Sequence, residues 1–395
     1  MRRAWPRALA CIGGGSFVAL SLPRMLATAE PAPAPPSTHP LFRFGVIADV
    51  QWADLEDGYN YARTTKRCYR GALGTLREAV DWWQQQQPNF IAQLGDLIDG
   101  QNAKLGQSVS AMEAATSLLN QMSCRVVNIV GNHELYNFDR SALQQKLASG
   151  ASRHGDSFFS FVPVQGWRVV ALDSYQESIQ GWPSDDPRTR RAAKLLSANN
   201  PNIDPDEPGK NGNWFAGLPK GHVRRFVPYN GGLGREQIRW LRRELRQARE
   251  NGERVIILSH TILAPQACEG TTMAFDYEEV LEAIRDSGKT VAMVLCGHDH
   301  AGGYHRDAET GVHHLTLCSP LNKGTDGKAY GIVEVRDDAI EIHGPSLRDL
   351  VSPSRGTGIS LVSRRDISSL PAVSRSEPDR VGGEAEVMRF GLDAA

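Results

Sequence analysis

The stretch Phe90-Ile91-Ala92-Gln93-Leu94-Gly95-Asp96-Leu97-Ile98-Asp99 sets the first landmark of the fold. Its first five residues form a mostly apolar run that predicts a buried strand. Gly95 allows a sharp turn directly after this run, and the turn brings the Asp96 carboxylate close to the strand end. One carboxylate in such a place says little, because acidic residues often cap loops and helices. A site is indicated only if other strands end in the same way.

Four other apolar runs do end in metal-binding side chains. Each run predicts a strand, and the polar residues follow it directly. They are Phe42–Ala48 before Asp49-Val50-Gln51, Arg125–Val130 before Gly131-Asn132-His133-Glu134, Val255–Leu258 before Ser259-His260, and Val291–Cys296 before Gly297-His298-Asp299-His300. In sheets flanked by helices, ligands bind outside the carboxyl ends of the strands. The repeated pattern therefore predicts one shared site at one edge of the fold, although each residue alone could be a hydrogen-bonded loop residue.

The carboxylates, amides and imidazoles of these segments are sufficient for two metal ions. In two-metal hydrolases the ions lie about 3.5–4 Å apart, so one ligand must bridge them, and a carboxylate does this with its two oxygens. Oxygen and imidazole ligands together favour Mn²⁺, Fe²⁺ or Zn²⁺ over Ca²⁺. The reaction typical of such a centre is hydrolysis of a phosphate ester or anhydride.

The order of elements between residues 41 and 350 predicts an α/β fold. Helical periodicity predicts helices over Arg63–Gln87, Val109–Met122, Arg235–Glu250 and Tyr277–Asp286. Helices between strands predict parallel βαβ units in the first half, and short strands predict antiparallel pairs in the second half. A long polar segment, Trp182–Gly234, interrupts the pattern and is typical of a binding loop or lid.

The two ends of the chain differ from its middle. Residues 1–40 combine arginines, a short apolar stretch and the small residues Ala27-Thr28-Ala29. This pattern predicts a secretory signal or an organelle transit peptide, and the alternative is a disordered tail on a cytoplasmic protein. Residues 351–395 are rich in Ser, Arg and Pro, which predicts a disordered tail. The interpretation leaves one catalytic domain over residues 41–350.

Composition limits the partners. The formal net charge is -1 over 395 residues, so no general attraction to nucleic acid or to anionic membranes is expected. The apolar stretch Ala8–Leu22 is too short for a membrane span. The six cysteines show no paired spacing and are expected to be buried, reduced thiols. We expect a monomer that acts on a small molecule.

Taken in order, the strand-end segments resemble the motifs of the calcineurin-like metallophosphoesterase superfamily: DxH, GDxxD, GNHE, an isolated His and GHxH. The match covers about residues 42–345 and fails only at Gln51, where the superfamily usually has His. The resemblance implies an α+β sandwich, with two β-sheets flanked by helices. It implies that the first metal is held by Asp49, Gln51, Asp96 and His300, and the second by Asp96, Asn132, His260 and His298.

The same resemblance implies roles in the reaction. His133 would protonate the leaving group or stabilise its charge, Asp99 would orient His133, and a hydroxide bridging the metals would attack phosphorus in line. Three alternatives remain open. In the first, Gln51 supports a ligand instead of binding a metal. In the second, His133 has a structural role, and in the third, Asp99 caps a helix.

Gln51 and its surroundings resemble one branch in particular, the manganese-dependent ADP-ribose/CDP-alcohol diphosphatases. The stretches that agree are Phe44–Gln51, Ala53–Asn60, Gln93–Gly100, Gly131–Phe138, Asn200-Pro201-Asn202 and Asn230-Gly231-Gly232. The branch implies two divalent ions, Mn²⁺ foremost, and a nucleotide substrate such as ADP-ribose or CDP-choline that is cleaved at its phosphoanhydride. An amide oxygen is a harder and weaker ligand than imidazole, which also favours Mn²⁺. The chain departs from the branch at Asp299, where Cys is usual, and at Tyr61, where Phe is usual.

Candidate substrate-binding residues lie behind the first motif. Arg63 and Arg67 would lie on one predicted helix with Lys66 and Arg70 and neutralise a pyrophosphate. The alternative is a solvated basic helix face. Tyr61 would stack on a nucleobase or pack against the protein.

Two other functions compete with a nucleotide diphosphatase. A cyclic-nucleotide phosphodiesterase or a phosphomonoesterase would use the same fold, but Gln51 and the Asn-Gly-Gly segment favour the diphosphatase. A non-catalytic scaffold on this fold would lack the catalytic His, whereas His133 is present.

Overall fold

Alternating apolar side chains on two sets of strands build the core. The structure is a computed structural model that describes residues 39–147, 157–324, 326–352, 361–362 and 386–392. Its strands are β1 (Phe42–Ile47), β2 (Gly58–Tyr59), β3 (Lys66–Arg67), β4 (Phe90–Gln93), β5 (Arg125–Asn128), β6 (Phe159–Val164), β7 (Trp167–Ala171), β8 (Arg254–Leu258), β9 (Val291–Cys296), β10 (Ala301–Arg306), β11 (His313–Cys318), β12 (Gly331–Val335), β13 (Ala339–Gly344), β14 (Leu361–Val362) and β15 (Glu386–Gly391).

The strands form two large sheets and one small hairpin. Sheet 1 has the order β14-β15-β13-β12-β1-β4-β5, and sheet 2 has the order β10-β11-β9-β8-β7-β6. In sheet 1, β1, β4 and β5 are parallel, and the strands from β12 to β15 are antiparallel. In sheet 2, β7, β8, β9 and β11 are parallel, and only the edge strands β6 and β10 are antiparallel. The predicted division into a parallel first half and an antiparallel second half is therefore wrong for β8, β9 and β11.

The inner faces of the two sheets share one apolar core. Phe44 of β1 and Phe90 of β4 stack with ring centroids 4.6 Å apart, and they pack in one cluster with Ile256 of β8 and Leu295 of β9. Burial of such a continuous apolar face is the main force that holds two sheets together. The expected α+β sandwich of two sheets is confirmed.

Several helices cover the outer faces of the two sheets. The helices of the described residues are α1 (Tyr69–Gln86), α2 (Gln101–Lys104), α3 (Ser108–Leu119), α4 (Asn132–Asn137), α5 (Arg140–Lys146), α6 (Pro187–Asn199), α7 (Gly234–Glu250), α8 (Tyr277–Asp286) and α9 (Leu347–Leu350). Leu76, Val80 and Trp83 of α1 are buried at helical spacing against Ile47 and Ile91 of sheet 1. The helices α7 and α8 cover sheet 2 in the same way.

Helix α1 begins later than predicted. Residues 63–67 do not continue the helix, because Arg63 has a left-handed φ of 55° and Lys66–Arg67 pairs with Gly58–Tyr59 as the hairpin β2–β3. Arginine and lysine are good helix formers, so the local sequence carries no stop signal here. The end of the helix is as predicted, since Gln87 is left-handed and Pro88 follows it.

The polar insertion Trp182–Gly234 contains a helix that was not predicted. Pro187 stands at the start of α6 and the Asp186 side chain accepts a hydrogen bond from Arg188 N–H, which is a standard helix start. Ala192 and Leu196 of α6 pack with Ile203, Phe226 and Phe275 in a small separate cluster. The insertion is therefore partly a folded unit with its own apolar centre.

The prediction of a disordered tail over 351–395 is wrong for residues 386–391. These residues form β15, which pairs with β13 over six residues and buries Val387, Met388 and Phe390. The stabilising contacts come from a distant strand, so local composition did not reveal them. The predicted targeting segment 1–40 lies outside the described residues except for residues 39 and 40.

Two smaller expectations concern membranes and thiols. Within the described part of the chain, no helix is long and apolar enough to cross a membrane. No disulfide joins the five cysteines in the described ranges, which are Cys68, Cys124, Cys268, Cys296 and Cys318.

Candidate metal centre

Four buried side chains from both sheets meet at the carboxyl ends of their strands. Asp49 follows β1, Asp96 follows β4, His260 follows β8 and His298 follows β9. One ligand atom of each lies within 4.8 Å of the others. His260 Nε2 is 3.4 Å from Asp96 Oδ2 and 3.1 Å from His298 Nδ1. The strand-end segments of the sequence thus form one cluster.

Gln51, His300 and Asn132 extend this cluster. Gln51 Nε2 donates a hydrogen bond to Asp96 Oδ2 at 3.0 Å and lies 2.9 Å from His300 Nε2. His300 Nε2 lies 3.6 Å from Asp49 Oδ1. Asn132 is buried at the start of α4, where the N–H of the next residue, His133, donates to Asp96 Oδ1 at 2.8 Å. All seven residues predicted as metal ligands are therefore neighbours in space.

The backbone is strained at four of these residues. The φ angles of Asp49, Gln51, Asp96 and His298 are 52°, 45°, 57° and 71°, in the left-handed region that favours glycine. Each such residue costs about 1–3 kcal/mol, and this strain is typical of functional sites. Hydrogen bonds from Asp49 N–H to Gly95 O and from Gln51 N–H to Asp96 O hold the loops in this form.

Gly95 has the turn conformation that the sequence predicted, and close packing also requires glycine here. Its φ is +99°, and a Cβ at this position would lie 2.3 Å from His260 Nδ1. The missing side chain lets the imidazole of His260 pack directly on the backbone before Asp96. From there, His260 Nδ1 is 2.8 Å from the carbonyl oxygen of Leu94.

The two central carboxylates differ in their electrostatics. Burial raises the pKa of Asp49 to about 7, although the nearby His260 opposes this shift. Burial would also raise the pKa of Asp96, but His260 and His133 lower it below its usual range. Asp96 is thus the more firmly ionised carboxylate, and it lies between the imidazoles.

The histidines of the cluster also differ from one another in their pKa shifts. Burial opposes a charge on His260, yet Asp96 raises its pKa to about 9. Burial and the neighbouring His260 lower the pKa of His298. Burial and then the charge of Arg67 lower the pKa of His300 to about 3. His298 and His300 are therefore neutral at neutral pH, the form in which imidazole binds a metal.

Two acceptor atoms indicate where cations would bind. Asp49 Oδ1 and Gln51 Oε1 are buried, and neither has a hydrogen-bond partner in the described part of the chain. Buried acceptors without partners are costly and rare, and an ion is one of the few groups that satisfies them. With the clustered imidazoles and carboxylates, these oxygens form a donor set that suits Mn²⁺. The residues present therefore fit a centre for divalent metals.

His133 faces the cluster from the start of α4. Its Nδ1 accepts a hydrogen bond from Gly100 N–H at 2.8 Å and lies 3.3 Å from Asp99 Oδ2. Its Nε2 points the other way and is 3.9 Å from Asp96 Oδ2. Although burial lowers the pKa of His133, Asp96 and Asp99 raise it. Asp99 therefore contacts the side of the ring that is turned away from the cluster.

The three predicted substrate-binding residues lie at different distances from the metal centre. Tyr61 is 97% exposed at the tip of the hairpin β2–β3, and Arg63 is exposed beside it. Arg67 lies at the base of the hairpin, close enough to affect the pKa of His300 and His133. Its Nε is buried and has no hydrogen-bond partner among the described residues. Only Arg67 is thus beside the metal centre.

The predicted basic helix face does not exist. Lys66 pairs with Asp57 at 2.8 Å and Arg70 pairs with Asp54 at 2.6 Å, so both charges are already engaged. They belong to different elements, since Lys66 lies in β3 and Arg70 in α1.

Several supporting residues were not predicted. The Glu134 carboxylate accepts hydrogen bonds from the N–H groups of Asp96, Leu97 and Gly131, and so fixes two of the site loops. The Tyr175 hydroxyl donates to Asn132 Oδ1 at 3.1 Å. The Ser319 hydroxyl donates to Asp49 O at 2.7 Å. Glu134 belongs to the strand-end segment Gly131-Asn132-His133-Glu134. Tyr175 follows β7 as the other site residues follow their strands, so the same reasoning would have found it.

Comparison with known proteins gives a consistent result. The family model for calcineurin-like phosphoesterases matches residues 42–302. The "Manganese-dependent ADP-ribose/CDP-alcohol diphosphatase" of Mus musculus is 36% identical over 334 residues, which cover 81% of this chain and 94% of that protein. The protein of the same name from Homo sapiens is 34% identical, over 78% of this chain and 91% of its own length.

A solved structure agrees with both. A dimetal phosphatase from Danio rerio aligns with a TM-score of 0.70 at 34% identity, covering 77% of this chain and 96% of its own. The family match includes every proposed metal ligand from Asp49 to His300, and the aligned structure covers most of the chain.

Proposed function

The chain belongs to the manganese-dependent ADP-ribose/CDP-alcohol diphosphatase family of calcineurin-like phosphoesterases, and we propose from this that it hydrolyses nucleoside diphosphate compounds at the phosphoanhydride bond. The substrates would be ADP-ribose, CDP-choline and other CDP-alcohols. The reaction adds water across the P–O–P bond, so that ADP-ribose gives AMP and ribose 5-phosphate.

The observation that carries this proposal is the buried donor cluster with two orphaned acceptors, Asp49 Oδ1 and Gln51 Oε1. A solely structural polar cluster would satisfy its own hydrogen bonds. Gln51 also occupies the one position at which the chain departs from the superfamily motif. Gln51 at this position and the family membership both support hydrolysis of a phosphoanhydride.

We assign Asp49, Gln51, Asp96 and His300 to one metal ion and Asp96, Asn132, His260 and His298 to the other. Asp96 is the residue common to both sets, and its lowered pKa favours the ionised form that a metal ligand needs. Two Mn²⁺ ions held by these residues would supply positive charge that stabilises a phosphate oxygen and lowers the pKa of water.

The protein's own groups act on the two ends of the scissile bond. His133 Nε2 faces the cluster, where a proton or hydrogen bond from it would reach the leaving phosphate. Asp99 and Gly100 hold the opposite nitrogen of the ring. The guanidinium of Arg67 offers a fork of N–H donors for the second phosphate. A monoester has no second phosphate, so Arg67 favours diphosphate substrates.

A substrate panel at one fixed Mn²⁺ concentration tests the proposal. It compares ADP-ribose and CDP-choline with a cyclic nucleotide, a phosphomonoester and a small activated phosphodiester. We expect the highest kcat/KM for the two diphosphates, and no turnover in excess chelator. A higher kcat/KM for the cyclic nucleotide or for the monoester would reject the proposed substrate class while retaining a metal-dependent enzyme.

A further inference from the structure

The insertion contacts His298 of the metal centre through the ring of Tyr229 and through a buried polar side chain, Asn230. This residue stands four positions before the end of the insertion and is fully buried. Its Oδ1 lies 2.7 Å from His298 Nε2. Asn230 belongs to the stretch Asn230-Gly231-Gly232 that resembles the diphosphatase branch, but the proposed mechanism gives it no role.

The orientation of the Asn230 amide is fixed by its other contacts. Its Nδ2 donates one hydrogen bond to Arg225 O and one to Thr271 O, each at 2.8 Å. An amide nitrogen has two N–H groups, and both are used. If the amide were turned over, its oxygen would face two carbonyl oxygens. The atom that faces His298 is therefore the oxygen, which can only accept.

The orientation of the Asn230 amide determines which ring nitrogen of His298 carries the proton. Because Asn230 Oδ1 only accepts, His298 Nε2 must carry the hydrogen, and the lone pair lies on Nδ1. Nδ1 is the nitrogen that lies 3.1 Å from His260 Nε2, within the donor cluster. His260 is arranged similarly, with its Nδ1 2.8 Å from Leu94 O and its Nε2 towards the cluster.

We propose that Asn230 is a positioning residue that locks His298 in the tautomer able to bind the second metal ion. The insertion thereby contributes to metal affinity. The inference rests on the metal centre of the proposed function, but metal binding is measured without substrate. A wrong substrate assignment would therefore leave the test valid.

The backbone next to Asn230 packs closely against the segment after β7. A Cβ on Gly231 would lie 2.4 Å from Ser174 O and 2.8 Å from Tyr175 Cδ1, so only glycine fits against the segment after β7. Phe275 N–H donates to Gly231 O at 2.8 Å and ties the loop to the segment before α8. Gly231 thus contacts the segment after β7 and the segment before α8, and these contacts hold the neighbouring Asn230 in place.

The test is calorimetric titration of the metal-free full-length protein with Mn²⁺. In Asn230→Ala we expect one of the two Mn²⁺ sites to weaken about 10–100-fold, the usual effect of losing the partner of a metal-binding histidine. The other site is expected to keep its affinity. Circular dichroism verifies that the variant is folded.

Asn200 offers a matched control. It is also buried in the insertion, and its Nδ2 also donates to two backbone carbonyls, Trp214 O and Phe226 O. Asn200 does not contact His298, so Asn200→Ala should bind Mn²⁺ like the wild type. Wild-type affinity in Asn230→Ala, or equal losses in both variants, would overturn the proposal.

A second measurement is made on the wild-type protein and does not need an Asn230 variant. In metal-free wild-type protein labelled with ¹⁵N-histidine, the His298 ring should show the proton on Nε2. Loss of its signals in His298→Gln assigns them. A proton on Nδ1 would overturn the proposal.

Discussion

At the scale of single residues, Arg67 is the cation whose position best suits substrate binding. It is beside His300 and His133, and its Nε has no partner in the described part of the chain. We predict that Arg67→Ala raises KM for ADP-ribose about tenfold or more, since a hydrogen bond to a charged group contributes about 1.5–3 kcal/mol. KM for a small phenyl phosphodiester should change little, because that ester has no second phosphate.

Arg63 provides the control for this measurement. It carries the same charge but is exposed near the tip of the hairpin β2–β3. Arg63→Ala should leave both KM values near those of the wild type. If Arg67→Ala weakened both substrates equally, Arg67 would support the metal centre or the fold instead of the second phosphate.

His133 is predicted to act without binding metal. Its Nδ1 is engaged by Gly100 and Asp99, which leaves Nε2 as the reactive atom. His133→Ala should lower kcat about 10²–10⁴-fold, the usual contribution of a general acid. Bound Mn²⁺, measured by elemental analysis, should remain unchanged. A variant that loses Mn²⁺ would show that His133 is a ligand.

The sequence predicted these residues to different extents. Asp96 and His298 were found because each directly follows an apolar run, and strand ends meet at one edge of a sheet. Asn230 could not be found in this way, because it ends an irregular loop. Its role depends on two carbonyl groups, from Arg225 and Thr271, that only the folded chain brings to it.

At the scale of elements, sheet 1 carries a row of charges across four neighbouring strands. Arg43 of β1, Glu334 of β12, Glu341 of β13 and Arg389 of β15 are successive cross-strand partners. Two carboxylates directly opposite each other repel. His343 Nε2 lies 3.5 Å from both of them, and Arg336 pairs with both at 2.7 and 2.8 Å.

This row predicts a pH-dependent contribution to stability from His343. Burial lowers the pKa of His343, but Glu334 and Glu341 raise it above its ordinary value of 6.5. The folded protein therefore binds this proton more tightly than the unfolded chain. The stabilisation is complete below the unfolded pKa and is lost as pH rises through the folded pKa.

Denaturant unfolding of the metal-free protein measures this effect. His343→Gln should lower the free energy of unfolding more at about pH 5.5 than at about pH 9. The exposed His222, which lies outside the row, gives the control variant His222→Gln. A loss from His343→Gln that is the same at both pH values would mean that the charge of His343 does not stabilise the sheet.

Elements were predictable where local pattern and packing agree. Leu76, Val80 and Trp83 of α1 repeat at helical spacing, so the helix and its end at Pro88 were found. Strand β15 was missed because its stability comes from pairing with β13 and burying Phe390 beside Tyr304. The hairpin β2–β3 was missed because Arg63 and Lys66 have helical propensity that tertiary contacts override.

At the scale of the whole molecule, the metal centre joins the two sheets. Asp49 and Asp96 follow strands of sheet 1, whereas His260 and His298 follow strands of sheet 2. Mn²⁺ therefore binds the folded sandwich and not the separate strands. We predict that Mn²⁺ at about 100 times its Kd raises the free energy of unfolding by about 2.7 kcal/mol for each site that it fills.

Thermal unfolding with Mn²⁺ and with chelator checks this linkage. Asp96→Ala, which removes the carboxylate common to both proposed ligand sets, should show little or no shift of Tm with Mn²⁺. A wild-type protein whose Tm is the same in Mn²⁺ and in chelator would contradict a metal centre that spans the sheets.

The left-handed backbone at the proposed metal ligands lowers the stability of the metal-free protein while it places their side chains in the site. Gln51, with a φ of 45°, would be less strained as glycine, and metal-free Gln51→Gly should be about 1 kcal/mol more stable than Gln51→Ala. Equal stabilities, measured by urea unfolding in chelator, would show that the loop relaxes without strain. Without Mn²⁺, a protein freed from selection for hydrolysis would therefore gain stability by losing its own ligands, whereas bound Mn²⁺ reverses this advantage. Laboratory-evolved variants chosen only for heat resistance in excess chelator should accumulate glycine at these positions first.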